Sequence, residues 1–103
     1  MADQNTGITV TVDPDLKELI PDFLTLSKKD VSSMQEALDQ NDLQTLTRLG
    51  HSFKGCGSGY GFHFLSEIGD KIERLAKTQP RDDSQALIDQ LHAYLENVVV
   101  IYA

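Results

Sequence analysis

The sequence has no tryptophan, a single cysteine and few basic residues, and each scarcity excludes a class of protein. Nine lysines and arginines stand against sixteen aspartates and glutamates, which gives a formal net charge of −7. Nucleic acids and anionic membranes bind clustered basic side chains, so we expect neither as a partner. One cysteine excludes an internal disulfide and is typical of a reducing compartment, so we expect a cytoplasmic protein.

Long apolar runs are also absent. No stretch approaches the 18 apolar residues of a membrane span, and residues 1–5 lack the basic and apolar regions of a signal peptide. At 103 residues the chain has the size of one domain. Because aromatic residues are only 7% of the sequence while hydrophobic residues are 40%, the core must consist mainly of leucine, isoleucine and valine.

Residues 1–12 are predicted to be a flexible N-terminal lead before the folded domain, which spans 13–103. Ile8, Val10 and Val12 alternate with threonines, a pattern that a short β-strand also shows. The sequence offers no evident partner strand. We therefore expect these side chains to pack on the first helix instead.

The folded domain is predicted to begin with a short helix. Asp13 is a favourable N-cap and Pro14 suits the first turn, so the helix begins there. Pro21 forces a break and can itself open the next helix, which we place over about 21–40.

Three further helices follow from apolar spacing and from breakers. Asp42 caps a third helix that runs to about Gly59, and a fourth is predicted over about 62–78. Asp82 or Asp83 then caps a fifth. Four long amphipathic helices with short connections predict an all-α fold, an antiparallel up-down four-helix bundle with a short extra N-terminal helix.

The most unusual stretch, Leu49 to Phe62, holds five of the seven glycines. We interpret it as the second half of the third helix, because apolar residues continue at helical spacing. At 100° per residue His51 points away from the apolar side, with Lys54 about 60° from it. The residues predicted to face inward are Leu46, Leu49, Phe53, Cys56 and Tyr60.

The glycines of this helix need a compensating role, since each costs about 1 kcal/mol relative to alanine within a helix. Gly50 and Gly57 share a stripe where a neighbouring helix could approach closely. Gly55 lies near His51 and would leave the surface around the ring uncluttered. Cys56, on the predicted inward side, is expected to be a small core residue and not a reactive thiol.

The pair His51 and Lys54 suits nucleophilic chemistry. Imidazole is a side chain that is neutral and nucleophilic near pH 7, and a cation one turn away would offset the charge of a phosphoryl group bound to it. Metal chemistry is not indicated, because the other histidines, His63 and His92, are scattered and with Cys56 give no zinc spacing. We expect no metal and no cofactor.

The segment HSFKG at 51–55, followed by Gly61-Phe62 and Leu65, resembles the histidine-containing phosphotransfer (HPt) family. The family signature is His-x-x-Lys-Gly, with a glycine ten residues after the histidine and a leucine shortly beyond. The resemblance extends through the helical pattern over about residues 13–101. It implies that His51 is phosphorylated and that Lys54 offsets the added charge.

The resemblance also implies a role for Glu73, which lies 22 residues after His51. In the HPt-like domain of chemotaxis-type histidine kinases, the matching glutamate accepts a hydrogen bond from the ring Nδ1–H. Carried over, Glu73 would leave Nε2 free to attack. Many relay-type HPt proteins have glutamine here, and an ordinary surface glutamate that pairs with Lys71, Arg74 or Lys77 is the alternative.

The implied function is a phosphorelay step in which His51 accepts a phosphoryl group from a receiver-domain aspartate and passes it to another receiver. Response-regulator receivers are the implied partners, with a sensor histidine kinase as a further one. Nothing resembles an ATP site, so we expect a phosphoryl carrier more than an independent enzyme. The alternatives are a substrate module of a separate histidine kinase and a non-catalytic helical receiver-binding module.

A receiver would dock on the exposed strip around His51. Phe62 and Phe64 are candidates for apolar contacts beside that strip. The predicted binding residues are Gln44, Arg48, Ser52, Gly55, Ser58 and Phe62.

Overall fold

The computed structural model describes residues 8–78 and 81–103, and these fold as a four-helix bundle with a small sheet. The helices pack in a ring in which α1 and α3 each contact both α2 and α4. This arrangement confirms the predicted helical bundle. The helices are α1 (Ile20–Asp39), α2 (Leu43–Gly59), α3 (His63–Ala76) and α4 (Arg81–Asn97), and the strands are β1 (Thr9–Val12) and β2 (Val99–Tyr102).

The predicted short first helix is only a single 3-10 turn, Pro14–Leu16. Asp13 caps it as expected, since its Oδ1 accepts a hydrogen bond from the Asp15 N–H at 2.9 Å. The chain then enters α1 at Ile20, with Pro21 in the first turn, where its missing N–H has no partner to lose. Pro21 therefore starts the first long helix, as predicted, but residues 8–19 before it contain no α-helix.

The caps of the later helices agree in part with the prediction. Asp42 caps α2, because its side chain accepts a hydrogen bond from the Thr45 N–H at 3.2 Å. Asn41 takes the left-handed conformation, with φ of 58°, that ends α1 and redirects the chain. In α4, Asp82 and Asp83 lie within the first turn and not at the cap, because the helix already begins at Arg81.

The N-terminal segment does not pack as predicted. Thr9–Val12 form a strand that pairs in parallel with Val99–Tyr102, so the expectation of a lead without a partner strand is wrong for these residues. Val12 is buried in the core, whereas Thr9 faces solvent, which is the alternation that the sequence shows. Residues 1–7 of the predicted lead lie outside the described residues.

Leucine and isoleucine fill the core, as the composition predicted. The fully buried side chains of this kind come from all four helices, and Tyr94 is the buried aromatic of α4. In the described ranges, no helix combines the length and the apolar character needed to cross a bilayer. The isoleucines and leucines with 2% exposure or less are Ile20, Leu46, Leu65, Ile68, Ile72, Ile88 and Leu91.

Helices α2 and α3 approach each other closely through glycines. A Cβ on Gly50 would lie 2.9 Å from the Glu73 nitrogen, and one on Gly57 would lie 2.7 Å from the Ser66 nitrogen. A Cβ on Gly69 of α3 would lie 2.6 Å from the Gly50 carbonyl oxygen. The expected close packing at Gly50 and Gly57 is confirmed, and Gly69 is its counterpart on the facing helix.

Substituting Gly69 by alanine tests this contact. We expect the free energy of unfolding to fall by about 1–2 kcal/mol, because displacing the α2 backbone costs more than the ~1 kcal/mol that alanine gains in a helix. The matched control is Gly55→Ala, where an added Cβ meets nothing within 4 Å. It should stabilise the protein by about 0.5–1 kcal/mol. Urea denaturation measures both; equal effects of the two substitutions would contradict the close approach.

Candidate functional site

His51 lies in the middle of α2 with its ring in solvent. Its side chain is 69% exposed, and one turn further along Gly55 has open space where a side chain would stand. Ser52, next to it, is exposed as well. The surface around the ring is therefore uncluttered, as the glycine pattern predicted.

Glu73 of α3 contacts the ring. Its Oε2 lies 2.9 Å from Nδ1 of His51, and its side chain is only 18% exposed. A carboxylate accepts hydrogen bonds and does not donate them, so this contact favours the neutral tautomer with the proton on Nδ1. Within the described part of the chain Nε2 makes no hydrogen bond, and its lone pair faces solvent.

Lys54 forms ion pairs with two carboxylates of α3, those of Asp70 and Glu73. Its Nζ lies 3.2 Å from Oδ1 of Asp70 and 3.8 Å from Oε1 of Glu73. Arg74 reaches the other oxygen of Asp70, with its Nη2 2.9 Å from Oδ2. The four side chains Lys54, Asp70, Glu73 and Arg74 form a charge network beside His51, in which Lys54 connects the two helices.

Asp70 is held in its charged form by this network. The hydrogen bond from Lys54 lowers the pKa of the Asp70 carboxyl below its usual value, and the positive charge of Arg74 lowers it further. Partial burial of the carboxyl works in the opposite direction; its effect on the pKa is smaller than that of the Lys54 hydrogen bond but larger than that of Arg74. Asp70 therefore remains a carboxylate that holds Lys54 throughout the neutral range.

Asp70 and Ser66 are site residues that the sequence reasoning missed. Ser66, Asp70 and Glu73 follow one another at spacings of four and three along α3, so they lie on one side of that helix. Because the resemblance pairs Glu73 with His51, counting back one and two turns from Glu73 along α3 finds both.

The predicted docking strip is exposed, with one exception. Phe62 is fully buried and packs in the core, where its ring lies 5.4 Å from that of Phe23, so its assignment as a binding residue is wrong. Phe64 is half-buried and stacks on Tyr94 of α4. The strip residues that do lie in solvent are Gln44, Arg48, His51, Ser52, Gly55 and Ser58.

Cys56 was predicted to be a small core residue on the inward side of α2. It is exposed, so this prediction is wrong. The reason is the approach of α3 on Gly50 and Gly57, which places the buried side of α2 toward those glycines and leaves Cys56 at its edge. Cys56 instead lines a groove of about 300 Å³ between α1 and α2, close to Ser52. The apolar residues of the groove include Leu19 and Leu26, which are 51% and 57% exposed.

Potential metal ligands are dispersed. Within residues 8–78 and 81–103, no three side chains of histidine, cysteine, aspartate or glutamate are arranged to hold an ion. His63 at the start of α3 and His92 on α4 are both exposed.

Replacing Asp70 by asparagine tests the network. Its folded-state pKa is depressed, so its contribution to stability is complete above the unfolded-state value near 3.9 and is lost as the pH falls through the folded-state pKa. We expect wild type to be more stable than Asp70→Asn at pH 6 and this difference to vanish at the acid end. Urea midpoints from pH 6 to pH 2.5 measure it; a difference that does not change with pH would contradict the ion pair.

Comparison with known proteins identifies the family of this chain. The model of the family described as "Hpt domain" matches residues 18–100, which include all four helices and the His51 site. Searches of curated proteins and of solved structures gave no significant match. Because the family model covers most of the sequence and the bundle has the helical architecture of that family, the chain belongs to the Hpt domain family.

Proposed function

We propose that this chain is a phosphoryl carrier that takes a phosphoryl group onto His51 from a receiver-domain aspartate and delivers it to another receiver. The observation that carries the proposal is the 2.9 Å contact between His51 Nδ1 and Glu73 on a ring that is otherwise in solvent. Membership of the Hpt domain family implies a histidine phosphotransfer module. We propose His51 as the nucleophile and transfer from one receiver to another as the direction. Cytoplasmic localisation stays a prediction.

The proposed step balances without an added cofactor on this chain. The Nε2 lone pair of neutral His51 forms a bond to phosphorus while the bond between phosphorus and the aspartate oxygen breaks, and the aspartate leaves as a carboxylate. The proton stays on Nδ1. The ring thereby becomes a phosphorylated imidazolium, and its positive charge faces the Glu73 carboxylate. Attack by the aspartate of a second receiver reverses these changes.

Lys54 supplies a positive charge about one turn from the reacting ring on the same helix. A phosphoryl group on Nε2 brings negative charge to a surface where Asp70 and Glu73 already lie, so an ammonium is needed to limit repulsion. Lys54 contacts both carboxylates in the resting protein and can turn toward the new anion from the same position. Transfer of this kind depends mainly on positioning and on charge neutralisation.

The surface around His51 matches a receiver in charge. Although the chain is acidic overall, five of its nine basic residues lie on α2 and α3 or at the end of α3. A receiver presents a cluster of carboxylates around its phosphorylated aspartate and the metal ion bound there, so a locally basic surface favours docking. The five basic residues are Arg48, Lys54, Lys71, Arg74 and Lys77.

The groove between α1 and α2 supplies the apolar part of the proposed docking surface. Leu19 and Leu26 are the large exposed hydrophobic residues of this side, and the groove reaches Ser52 beside His51. Exposed apolar side chains next to a reactive residue are typical of a protein-binding surface. In the proposed complex this groove supplies the apolar contacts that the sequence analysis had assigned to Phe62.

A second candidate function is a substrate module that a separate ATP-binding histidine kinase phosphorylates. The observation that favours it is Glu73 itself, because the corresponding glutamate is typical of the chemotaxis-type kinase domains that the sequence resembles. The two functions share the nucleophile and differ only in the donor. Supplying a phosphorylated receiver in one reaction, and a kinase with ATP in another, separates them.

Phosphoryl transfer to wild type and to His51→Gln tests the proposed nucleophile. Incubation with a radiolabelled phosphorylated receiver should label wild type with an acid-labile, alkali-stable phosphate and leave His51→Gln unlabelled. His92→Gln is the matched control, since His92 is exposed on α4, and it should be labelled like wild type. Label on His51→Gln would refute the assignment, and no label on wild type from either donor would leave a non-catalytic receiver-binding module.

Replacing Glu73 by alanine tests the proposed tautomer. Without the carboxylate, Nδ1 has no acceptor in α3, so we expect the maximal rate of transfer to fall by about ten-fold or more, as is common when the partner that orients a histidine is removed. Glu73→Gln keeps an acceptor oxygen and should retain most of the rate. Rapid-quench kinetics at saturating receiver measure both variants. Equal losses would mean that charge and not ring orientation is what Glu73 provides.

A further inference from the structure

Ser66 of α3 inserts its hydroxyl into the backbone of α2. Its Oγ accepts a hydrogen bond from the Ser58 N–H at 2.7 Å and another from the Ser58 hydroxyl at 2.9 Å. The same Oγ lies 3.0 Å from the Lys54 carbonyl oxygen and 3.4 Å from the Phe53 carbonyl oxygen. Its single proton therefore has the Lys54 carbonyl as its nearer acceptor.

The two backbone groups that Ser66 bridges are natural partners of each other. In an α-helix the N–H of Ser58 donates to the carbonyl of the residue four positions earlier, which is Lys54. The Ser66 hydroxyl contacts both of these groups and so ties this turn of α2 to α3.

Gly57 makes the insertion possible. A Cβ at this position would lie 2.7 Å from both the nitrogen and the Oγ of Ser66, so no larger residue fits beside the inserted hydroxyl. Gly50 provides the other close contact of α2 with α3, through Gly69. His51 and Lys54 lie between these two contacts, which fix the segment at both ends.

We propose that Ser66 is a positioning residue that acts through Lys54. Its hydroxyl holds the Lys54 backbone against α3, while Asp70 and Glu73 hold the ammonium of the same residue against the same helix. The backbone and the ammonium of Lys54 are therefore both held by α3, which also carries the carboxylate that contacts His51. The inference rests on the proposed phosphoryl transfer to His51, and it adds a residue that the reaction does not touch.

Ser66→Ala removes the hydrogen bond that holds the Lys54 carbonyl to α3, so Lys54 is free to shift relative to that helix. We expect the maximal transfer rate to fall by about ten-fold, since small displacements of a positioned group are costly, with the apparent Kd for the receiver unchanged. The matched control is Ser84→Ala, the same deletion at a buried serine of α4. It should leave the rate as in wild type.

A double-mutant cycle with Lys54→Ala separates positioning from general weakening. If Ser66 acts through Lys54, adding Ser66→Ala to Lys54→Ala should change the rate by no more than about two-fold, whereas independent effects would multiply. The amide proton resonance of Ser58 should also shift in Ser66→Ala and stay in place in Ser84→Ala. This second readout does not depend on phosphoryl transfer.

The outcomes distinguish the two proposals. Wild type that transfers phosphate at the same rate as Ser66→Ala, or rate losses that multiply in the cycle, would overturn the positioning role alone. An unchanged Ser58 amide resonance in Ser66→Ala would contradict the hydrogen bond between the Ser58 N–H and the Ser66 hydroxyl. Wild type that accepts no phosphate from a phosphorylated receiver, or from a kinase with ATP, would overturn the proposed function and the inference together.

Discussion

The close approach of the α2 and α3 backbones is the constraint on which the rest of the structure depends. Gly50 and Gly69 face each other so tightly that a methyl group on either would meet backbone atoms of the other helix. At this separation the Glu73 side chain of α3 reaches the His51 ring of α2. A wider spacing, with larger side chains between the helices, would move Glu73 away from His51.

Two helices therefore divide the tasks of the site. Helix α2 carries the two groups proposed to act on the phosphoryl group, His51 and Lys54, on an exposed surface kept open by Gly55. Helix α3 carries the groups that hold them, Glu73 for the ring and Asp70 for the ammonium. Helices α1 and α4 complete the core, and α1 adds the apolar groove beside the site.

The parts of the fold set by local pattern could be predicted, and the parts set by distant contacts could not. Asp42 and Pro21 mark the starts of helices through their own backbone chemistry, so the bounds of α1 and α2 followed from the sequence. The pairing of Thr9–Val12 with Val99–Tyr102 joins segments at opposite ends of the chain. Each segment is rich in β-branched residues, which is typical of strands, but neither pattern identifies the segment with which it pairs.

The same division explains the successes and errors at the site. The helical spacing predicted that His51 is exposed, and the resemblance predicted its contact with Glu73, which the structure contains. Cys56 was misplaced because a wheel drawn through side chains alone takes the apolar residues as the centre of the buried side. Glycines contribute no hydrophobicity to such a wheel, yet here they are where the neighbouring helix makes its closest contact. Phe62 was misplaced for another reason: it lies between α2 and α3, at the N-cap of α3, where no helical period indicates which way a side chain faces.

The resting position of Lys54 bears on how the site would accept charge. Its ammonium is shared between Asp70 and Glu73, so within the charge network two carboxylates are balanced by Lys54 and Arg74, and the network has no net charge before phosphorylation. A phosphoryl group would make it negative, and Lys54 can move toward the group only by weakening its contact with Asp70. Arg74 remains on Asp70 when this happens, so the carboxylate that Lys54 leaves keeps a cationic partner. The second cation thus lowers the cost of releasing the first.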